Sequence, residues 1–257
     1  MQGFHGRTMG ALATTWKDKY KKPYEPLIGD VEFVPYDDPE AMTEAVDDDT
    51  AAVIVEPVQG EGGITPASTE FLQTTREATE ESGAALIFDE VQTGMGRTGT
   101  LWAAESAGVV PDMLTAAKGL GNGLPIGATL CRDWIADNYG SHASTFSGGP
   151  VIAAAANATV ETILEEDVPA HAGDVGGYLR ERLESELGDV ARDIRGEGLM
   201  IGVEVKRGAN RILKQLALDH QILALPAGRT VVRLLPPLTI TEAEADRVVD
   251  ALVEVIA

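Results

Sequence analysis

The stretch AALIFDEVQTGMGRTG (84–99) is the part of this chain that best indicates its fold. Its first residues form a short apolar run, which is typical of a strand that is buried on both faces. Asp89 ends this run, so a carboxylate stands at the carboxyl end of the predicted strand. An aspartate in such a place is partly desolvated and favours a cationic or hydrogen-bonding partner.

Similar patterns flank this stretch on both sides. The run AAVIVE (51–56) is typical of another buried strand, and residues 68–82 between the two have the pattern of a helix that Gly83 terminates. The runs DMLTAAK (112–118) and IGATLC (126–131) predict two further short strands. This alternation indicates an α/β fold with a mainly parallel sheet and helices on both faces.

The pattern changes after Pro150, where we place a domain boundary. We predict a large domain over residues 1–150 and a linking helix with a small α+β domain over residues 151–257. The elements predicted in this second part are helices over 151–166 and 174–187, strands within 192–205 and 229–240, and a final helix that begins at a capping box of Thr241 and Glu244.

The composition restricts the partners of the chain. Its 257 residues include 20 Lys and Arg against 41 Asp and Glu, which gives a formal net charge of −21. Nucleic acids and anionic membranes require basic patches, so neither is expected as a partner. The dispersed acidic residues favour a halophilic protein, with an ordinary acidic protein as the alternative.

The sequence also favours a cytoplasmic location. The single cysteine, Cys131, excludes an internal disulfide, and no apolar run approaches the length that crosses a bilayer. The first residues have no signal-peptide pattern. No histidine or cysteine stands at metal-ligand spacing, so we expect no metal site.

Lys118 is the single charged residue between Met113 and Cys131. It follows a predicted strand and precedes a glycine-rich turn, which places it at the carboxyl edge of the sheet, where α/β folds bind ligands. Desolvation lowers the pKa of a lysine, and the neutral amine is the nucleophile that attacks a carbonyl. On these residues alone, a lysine that reaches water from a loop is an equal alternative.

Asp89 and Gln92 have the chemistry to hold a protonated heterocycle. A carboxylate at a pyridine nitrogen keeps the ring protonated, so that the ring acts as an electron sink. The amide of Gln92 would donate to a phenolic oxygen on such a ring. The common alternative is that Asp89 caps the next turn. A single acidic residue at a strand end, without further motifs, favours that alternative.

Six blocks of the sequence resemble, in order, those of the class III aminotransferases, which depend on pyridoxal phosphate. The blocks are FHGRTMGA (4–11), VEPVQGEGG (55–63), FDEVQTGMGRTG (88–99), AAKGLGNGLPIGA (116–128), HASTFSGGP (142–150) and VVRLLPPL (231–238). Within this class, the sequence is most similar to acetylornithine and ornithine aminotransferases and their LysW-dependent relatives. The resemblance implies the type I fold of pyridoxal-phosphate enzymes.

The resemblance implies a cofactor role for several matched residues. Lys118 would form the Schiff base with pyridoxal 5′-phosphate and would move a proton between substrate and cofactor. Asp89 would pair with the pyridine nitrogen, Gln92 would lie near the ring oxygen, and Phe4 would stack on the ring. Two further contacts beneath the ring are implied for Glu90 and Val91.

Other matched residues are implied to bind phosphate or substrate. Thr145 would bind the cofactor phosphate of the neighbouring subunit, and Ser144 would contact substrate. Arg233 would hold the α-carboxylate and Arg7 the distal group of the substrate. Glu61 would pair with Arg233 and mask its charge during one half-reaction. An ordinary surface salt bridge is the alternative for each arginine.

Family members carry a further segment before the FHGRT block, which contributes to the phosphate site. We therefore expect an incomplete sheet and an incomplete phosphate site in this chain. The block around Thr145 also departs from the family, because Ala143 and Gly149 stand where glycine and asparagine are more frequent.

The resemblance implies an aminotransferase that acts in arginine or lysine biosynthesis. It would move an amino group between an ω-amino donor and 2-oxoglutarate or glutamate, in a homodimer with shared sites. Two other activities of the class remain open, namely 4-aminobutyrate aminotransferase and glutamate-semialdehyde aminomutase. A third reading is a truncated remnant that does not catalyse and survives as an interacting piece.

Overall fold

The computed structural model describes residues 1–138 and 144–256, and the chain divides into two compact units. The first unit consists of Met1–Pro57, Ala67–Met95 and Trp102–Glu165, and the second of Val58–Pro66, Gly96–Leu101 and the chain from Glu166 onward. The two short segments belong to the second unit because they bond and pack against its later residues. The domain division at residue 150 stays a prediction.

The chain forms short strands and helices in both units. The strands are β1 (Ala52–Val55), β2 (Val58–Gln59), β3 (Thr65–Pro66), β4 (Ala85–Asp89), β5 (Met113–Ala116), β6 (Ala128–Cys131), β7 (Asp193–Glu197), β8 (Met200–Glu204), β9 (Leu225–Ala227) and β10 (Val231–Leu234). The α-helices are α1 (Met9–Ala13), α2 (Asp18–Lys21), α3 (Pro39–Ala45), α4 (Thr69–Ser82), α5 (Ala103–Ser106), α6 (Asp133–Ala136), α7 (Pro150–Glu165), α8 (Val168–Leu187), α9 (Ala209–Asp219) and α10 (Glu242–Ile256). Single turns of 3₁₀-helix cover Lys22–Tyr24 and Lys118–Gly121.

The sheet of the first unit has the strand order β1-β4-β5-β6. The strands β1, β4 and β5 run parallel, and β6 runs antiparallel to β5. This confirms the mainly parallel sheet. The last strand reverses because residues 117–127 contain only a 3₁₀ turn, whereas a parallel connection needs a longer crossover.

Helix α4 has the bounds that the sequence predicts. Ser68 is its N-cap, and the Ser68 Oγ accepts a hydrogen bond from the Phe71 N–H at 3.1 Å. Gly83 ends the helix in the left-handed region, with φ +78°. Phe71 lies fully buried in one apolar cluster with Leu86 and Phe88 of β4, so the helix packs on the central strand.

A buried carboxylate joins three elements of this unit. Asp112, just before β5, accepts hydrogen bonds from the Leu86 N–H at 2.9 Å and from the Arg76 guanidinium of α4 at 2.6 Å. Burial alone raises the pKa of Asp112, but these hydrogen bonds outweigh it and hold the pKa below its usual value. Asp112 is therefore ionised, and its carboxylate connects α4 and β4 to the start of β5.

The second unit is built on an antiparallel sheet with the order β7-β8-β10-β9. Leu179 and Leu183 of α8, Leu216 of α9, and Val249 and Leu252 of α10 form one buried cluster that packs with this sheet. This is the α+β pattern that the sequence predicts.

The C-terminal helix confirms the predicted capping box. The Glu244 N–H donates to the Thr241 Oγ at 3.3 Å, and the Glu244 carboxylate accepts from the Thr241 N–H at 2.9 Å. Helix α9 was missed by the sequence analysis, although Ala209, Ile212 and Leu216 lie buried at helical spacing. Among the described residues, no helix is both long and apolar enough to span a bilayer.

Replacement of Asp112 tests the junction between α4, β4 and β5. We expect Asp112→Asn to lower the free energy of unfolding by about 2–3 kcal/mol near neutral pH, because Arg76 loses a charged acceptor. The lowered pKa makes this stabilisation present above the unfolded pKa of about 4, and it is lost as the pH falls through the folded pKa. Urea unfolding at several pH values measures the difference.

The matched control for this measurement is Asp18→Asn. Asp18 is exposed and lies 3.8 Å from the Lys21 ammonium, so its removal should change the stability by less than about 0.5 kcal/mol. Equal effects of the two substitutions, or an Asp112→Asn effect that does not shrink in acid, would contradict the assignment.

Candidate active site

Three strand ends of the first unit lie side by side at the carboxyl edge of its sheet. Glu56 follows β1, Asp89 ends β4, and Lys118 stands two residues after the end of β5. These strands are parallel neighbours, so the residues after them share one edge. Open α/β sheets bind ligands at such an edge. The structure therefore places Asp89 and Lys118 at the same edge of the sheet, which is where the sequence predicts them.

Lys118 is exposed in the structure, so the expected desolvation of its ammonium is not found. Its backbone has φ +39°, a left-handed conformation that a lysine rarely adopts. It begins the 3₁₀ turn that leads from β5 to β6, and in this turn Lys118 is exposed at the edge of the sheet. Strained residues of this kind cluster at functional sites.

Asp89 is buried and is held by donors from three directions. Its Oδ2 lies 2.8 Å from the Nδ1 of His5, and its Oδ1 accepts from the Val91 N–H at 3.1 Å and from the Thr115 hydroxyl at 3.2 Å. An ionised carboxylate has about four acceptor positions. Asp89 can therefore accept one further hydrogen bond, which is what a protonated pyridine nitrogen requires.

His5 is a site residue whose contact the sequence analysis did not find. The side chains of His5 and Asp89 are only 6% and 8% exposed. The His5 N–H donates to the hydroxyl of the fully buried Thr15 at 3.0 Å, and this hydroxyl lies 3.2 Å from the Gly6 carbonyl. Thr15 thus fixes the loop that carries His5. Neither contact has a local signal, because the partners are distant in sequence.

Phe4 lies next to this network. Its N–H donates to the buried Glu56 carboxylate at 2.8 Å, which ties the loop to the end of β1. The Phe4 ring is half-buried and makes an edge-to-face contact with Tyr20, with 5.8 Å between the ring centroids. The predicted stacking of Phe4 on a cofactor ring stays a prediction.

Glu90 follows Asp89 and accepts hydrogen bonds from the loop after β4 and from the start of α5. Its buried carboxylate accepts hydrogen bonds from the Thr93 hydroxyl at 2.5 Å and from the N–H groups of Ala103 and Ala104 at 3.0 and 2.9 Å. Burial raises the pKa of Glu90, and these hydrogen bonds act in the opposite direction. The carboxylate therefore holds the loop after β4, and a contact with the cofactor is left as a prediction.

Four other predicted residues also lie in the first unit. Val91 and Gln92 are half-buried just after Asp89, and Ser144 and Thr145 are exposed. Their proposed contacts stay predictions. Ala143, where the sequence departs from the family, lies outside the described residues.

Arg7 is exposed at the end of the loop that carries Phe4 and His5. Its guanidinium carbon lies 5.1 Å from the ring centroid of Tyr20 and 6.0 Å from that of Tyr24. Such contacts orient an arginine while its N–H groups stay available to an anion.

The second unit contains the other predicted arginine. Arg233 lies in the centre of β10 and is only 7% exposed, and its Nη2 lies 2.9 Å from the carboxylate of Glu61. Glu61 stands in the turn between β2 and β3. The predicted pair of Glu61 and Arg233 is therefore formed.

The first unit has the features of a pyridoxal-phosphate site. A lysine and a buried aspartate that can accept one more hydrogen bond stand at the same carboxyl edge of parallel strands. These residues fit a ring whose nitrogen is protonated and whose aldehyde reacts with an amine.

Comparison with known proteins agrees with this class. A family model described as aminotransferase class-III matches residues 1–256, and the chain belongs to this family. Its cofactor is pyridoxal 5′-phosphate. This confirms the resemblance and the cofactor inferred from the sequence blocks.

The chain is similar to named transaminases over nearly its whole length. The chain is 48% identical over 256 residues to the acetylornithine aminotransferase of Methanopyrus kandleri, which covers 98% of this chain and 65% of the relative. It is 43% identical over 252 residues to the [LysW]-aminoadipate semialdehyde/glutamate semialdehyde transaminase of Sulfurisphaera tokodaii, which covers 96% of this chain and 65% of the relative. The chain thus spans just under two thirds of the length of these relatives.

A solved structure confirms the fold. The chain superposes on the ornithine aminotransferase from Toxoplasma gondii, whose crystals revealed partial occupancy of PLP at the active site, with a TM-score of 0.94 and 33% identity. The match covers 99% of this chain and 62% of that structure. The type I fold of pyridoxal-phosphate enzymes is therefore confirmed.

Replacement of His5 tests the support of Asp89. We expect His5→Phe to lower the free energy of unfolding by about 1–3 kcal/mol, because a buried carboxylate loses a donor. We also expect weaker binding of pyridoxal phosphate, measured by absorbance titration. His5→Asn places an amide donor near the position of Nδ1 and should restore part of both losses. Identical behaviour of His5→Phe and the unchanged chain would show that this hydrogen bond has no such role.

Proposed function

We propose that this chain acts as a pyridoxal-phosphate-dependent aminotransferase that moves an amino group between an ω-amino donor and glutamate or 2-oxoglutarate. The observation that carries this proposal is that the buried Asp89 and Lys118 stand at the same sheet edge. When bound, pyridoxal phosphate supplies a protonated ring that withdraws electrons from the substrate carbon next to the amine.

The residues of the first unit would position this chemistry. Asp89 would keep the proton on the ring nitrogen, because a carboxylate next to this nitrogen stabilises its positively charged form. His5 and Thr115 hold the Asp89 carboxylate in one orientation. The Lys118 amine would take a proton from the substrate carbon that bears the reacting amine and would return it to carbon C4′ of the cofactor. Phe4 limits the sliding of the ring across this edge.

Arg233 and Glu61 support the choice of an ω-amino donor. Glutamate has two carboxylates and an ω-amino donor has one. If both Arg7 and Arg233 were accessible, Arg233 could bind the single carboxylate of the donor and place its ω-amine away from the cofactor. With Glu61 at 2.9 Å, the positive charge of Arg233 is masked until a carboxylate displaces Glu61. Arg7, which lies over two tyrosine rings, would bind the carboxylate farthest from the reacting amine, and both substrates have a carboxylate at that end.

The relatives favour a donor of the acetylornithine or LysW-bound type, and a role in arginine or lysine biosynthesis. The other two activities of the class, on 4-aminobutyrate and on glutamate semialdehyde, remain alternatives that substrate profiling separates. The remnant alternative is disfavoured because Lys118, Asp89 and the Glu61–Arg233 pair are all retained.

We further propose a cytoplasmic homodimer adapted to high salt. The exposed Thr145 supports a phosphate contact across two subunits, since its hydroxyl is accessible to another chain. The net charge of −21 supports the salt adaptation.

Removal of Lys118 tests the proposed activity directly. In concentrated potassium chloride with pyridoxal phosphate, the chain should gain the visible absorption that appears when a lysine amine binds the cofactor aldehyde, and glutamate should bleach it. Lys118→Ala should lose this absorption completely, whereas Lys214→Ala, which removes another exposed lysine, should keep it. No absorption in the unchanged chain, or full absorption in Lys118→Ala, would contradict the proposal.

Replacement of Glu61 tests the masking of Arg233. We expect Glu61→Gln to retain the half-reaction with glutamate and to slow the half-reaction with the ω-amino donor by about tenfold or more, because the charge of Arg233 is then unmasked. Rapid-mixing absorbance measures both half-reactions. Glu254→Gln, which changes an exposed carboxylate 3.8 Å from His220, is the control and should alter neither. Equal slowing of both half-reactions by Glu61→Gln would exclude the masking role.

A further inference from the structure

Arg195, on β7, bonds to the backbone of the turn that carries Glu61. Its Nε donates to the carbonyl oxygens of Gly63 and Ile64, each at 3.1 Å, and its Nη2 donates to the Gly63 oxygen at 2.8 Å. The guanidinium thus binds the turn at two successive peptide groups. A flat fork of N–H donors is suited to this geometry, whereas an ammonium group is not.

The other end of the same guanidinium is held by two carboxylates. Its Nη1 donates to Asp193 at 2.6 Å and to Glu204 at 2.8 Å. Burial alone lowers the pKa of Arg195, but these two acceptors outweigh it and raise the pKa above its usual value. The side chain is 20% exposed, so its orientation is set by these partners rather than by water.

Arg195 and Arg233 occupy one row across the sheet. Gly202 of β8 lies directly opposite Arg195 on β7 and directly opposite Arg233 on β10. Residues that lie opposite each other in antiparallel strands point to the same face. The two arginines therefore stand on the same face, on either side of a glycine.

The turn that carries Glu61 lies over this glycine. A Cβ on Gly202 would come within 2.9 Å of the Ile64 Cβ and 3.3 Å of the Gly63 oxygen, so the close approach requires glycine. Val58 and Ile64, near the two ends of the turn, are fully buried in a small apolar cluster. Between them, the Glu61 side chain remains 31% exposed and reaches Arg233 at 2.9 Å.

We propose that Arg195 is a positioning residue that sets how well Glu61 masks Arg233, and so determines the preference between glutamate and the ω-amino donor. This inference rests on the masking role of Glu61 proposed above. Arg195 touches neither substrate in this assignment. It holds Gly63 and Ile64 on the sheet, and the carboxylate of Glu61 is thereby kept within bonding distance of Arg233.

The first test measures the turn itself and needs no cofactor. In Arg195→Lys, the charge beside Asp193 and Glu204 is kept, but the bonds to both carbonyls cannot be reproduced together. Amide hydrogen exchange over residues 58–66 should become about tenfold faster, while the amides of β4 stay unchanged. The control is Arg192→Lys. Arg192 is exposed and lies 4.0 Å from the same Glu204, and its replacement should leave residues 58–66 unchanged.

The second test measures the preference between donors. Arg195→Lys should slow the half-reaction with the ω-amino donor more than that with glutamate, in the direction of Glu61→Gln. In the double variant, Arg195→Lys should add nothing to the effect of Glu61→Gln, because both act through one carboxylate. A general structural defect would instead slow both half-reactions and would add to Glu61→Gln.

The outcomes separate the two proposals. Unchanged exchange over residues 58–66, or the same change in Arg192→Lys, would overturn the role of Arg195. Faster exchange together with additive effects on the donor preference would overturn it as well. If Glu61→Gln itself leaves the donor preference unchanged, the masking proposal fails, and faster exchange in Arg195→Lys would then show an anchoring role without any effect on preference.

Discussion

The hydrogen bond between His5 and Asp89 joins residues that are 84 positions apart, and the arrangement of the candidate site depends on it. Asp89 gains its orientation from His5, from its own turn and from the neighbouring strand. The loop of His5 is fixed in turn by Thr15 and by the contact of Phe4 with Glu56. Because a buried carboxylate without donors is strongly destabilising, the network has to form as a whole.

Buried charged groups elsewhere in the chain follow the same principle and serve as junctions. Asp112 joins α4 to two strands, and Glu90 holds the start of α5 through two backbone N–H groups. In the second unit, the Arg97 guanidinium donates to the carbonyl oxygens of Leu199 and Pro236, and burial lowers its pKa to about 10. Each of these groups bonds to backbone atoms, so each fixes the path of a loop as well as the position of a side chain.

Much of the secondary structure follows from local patterns. The runs before Glu56 and Asp89 become strands, Ser68 and Gly83 bound α4, and the capping box at Thr241 begins the last helix. Helix α9 was missed although its apolar spacing was present. The reversal of β6 could not be read from its composition, since parallel and antiparallel strands differ in their connections and not in their residues.

The sequence predicts the reactive residues of the candidate site, but it does not predict the hydrogen bonds that hold them in place. Asp89, Lys118 and the pair of Glu61 and Arg233 were identified from sequence blocks. The exposure of Lys118, the role of Glu90 as a holder of its loop, and the bonds of His5 and Arg195 emerged only from the folded chain. The sequence by itself determined the family, the cofactor and the reactive residue types, because these depend on local order and spacing. The tertiary structure decided which side chains orient these reactive residues. The hydrogen bond of His5 spans 84 positions and that of Arg195 spans 132 positions, and such bonds form only when distant segments meet.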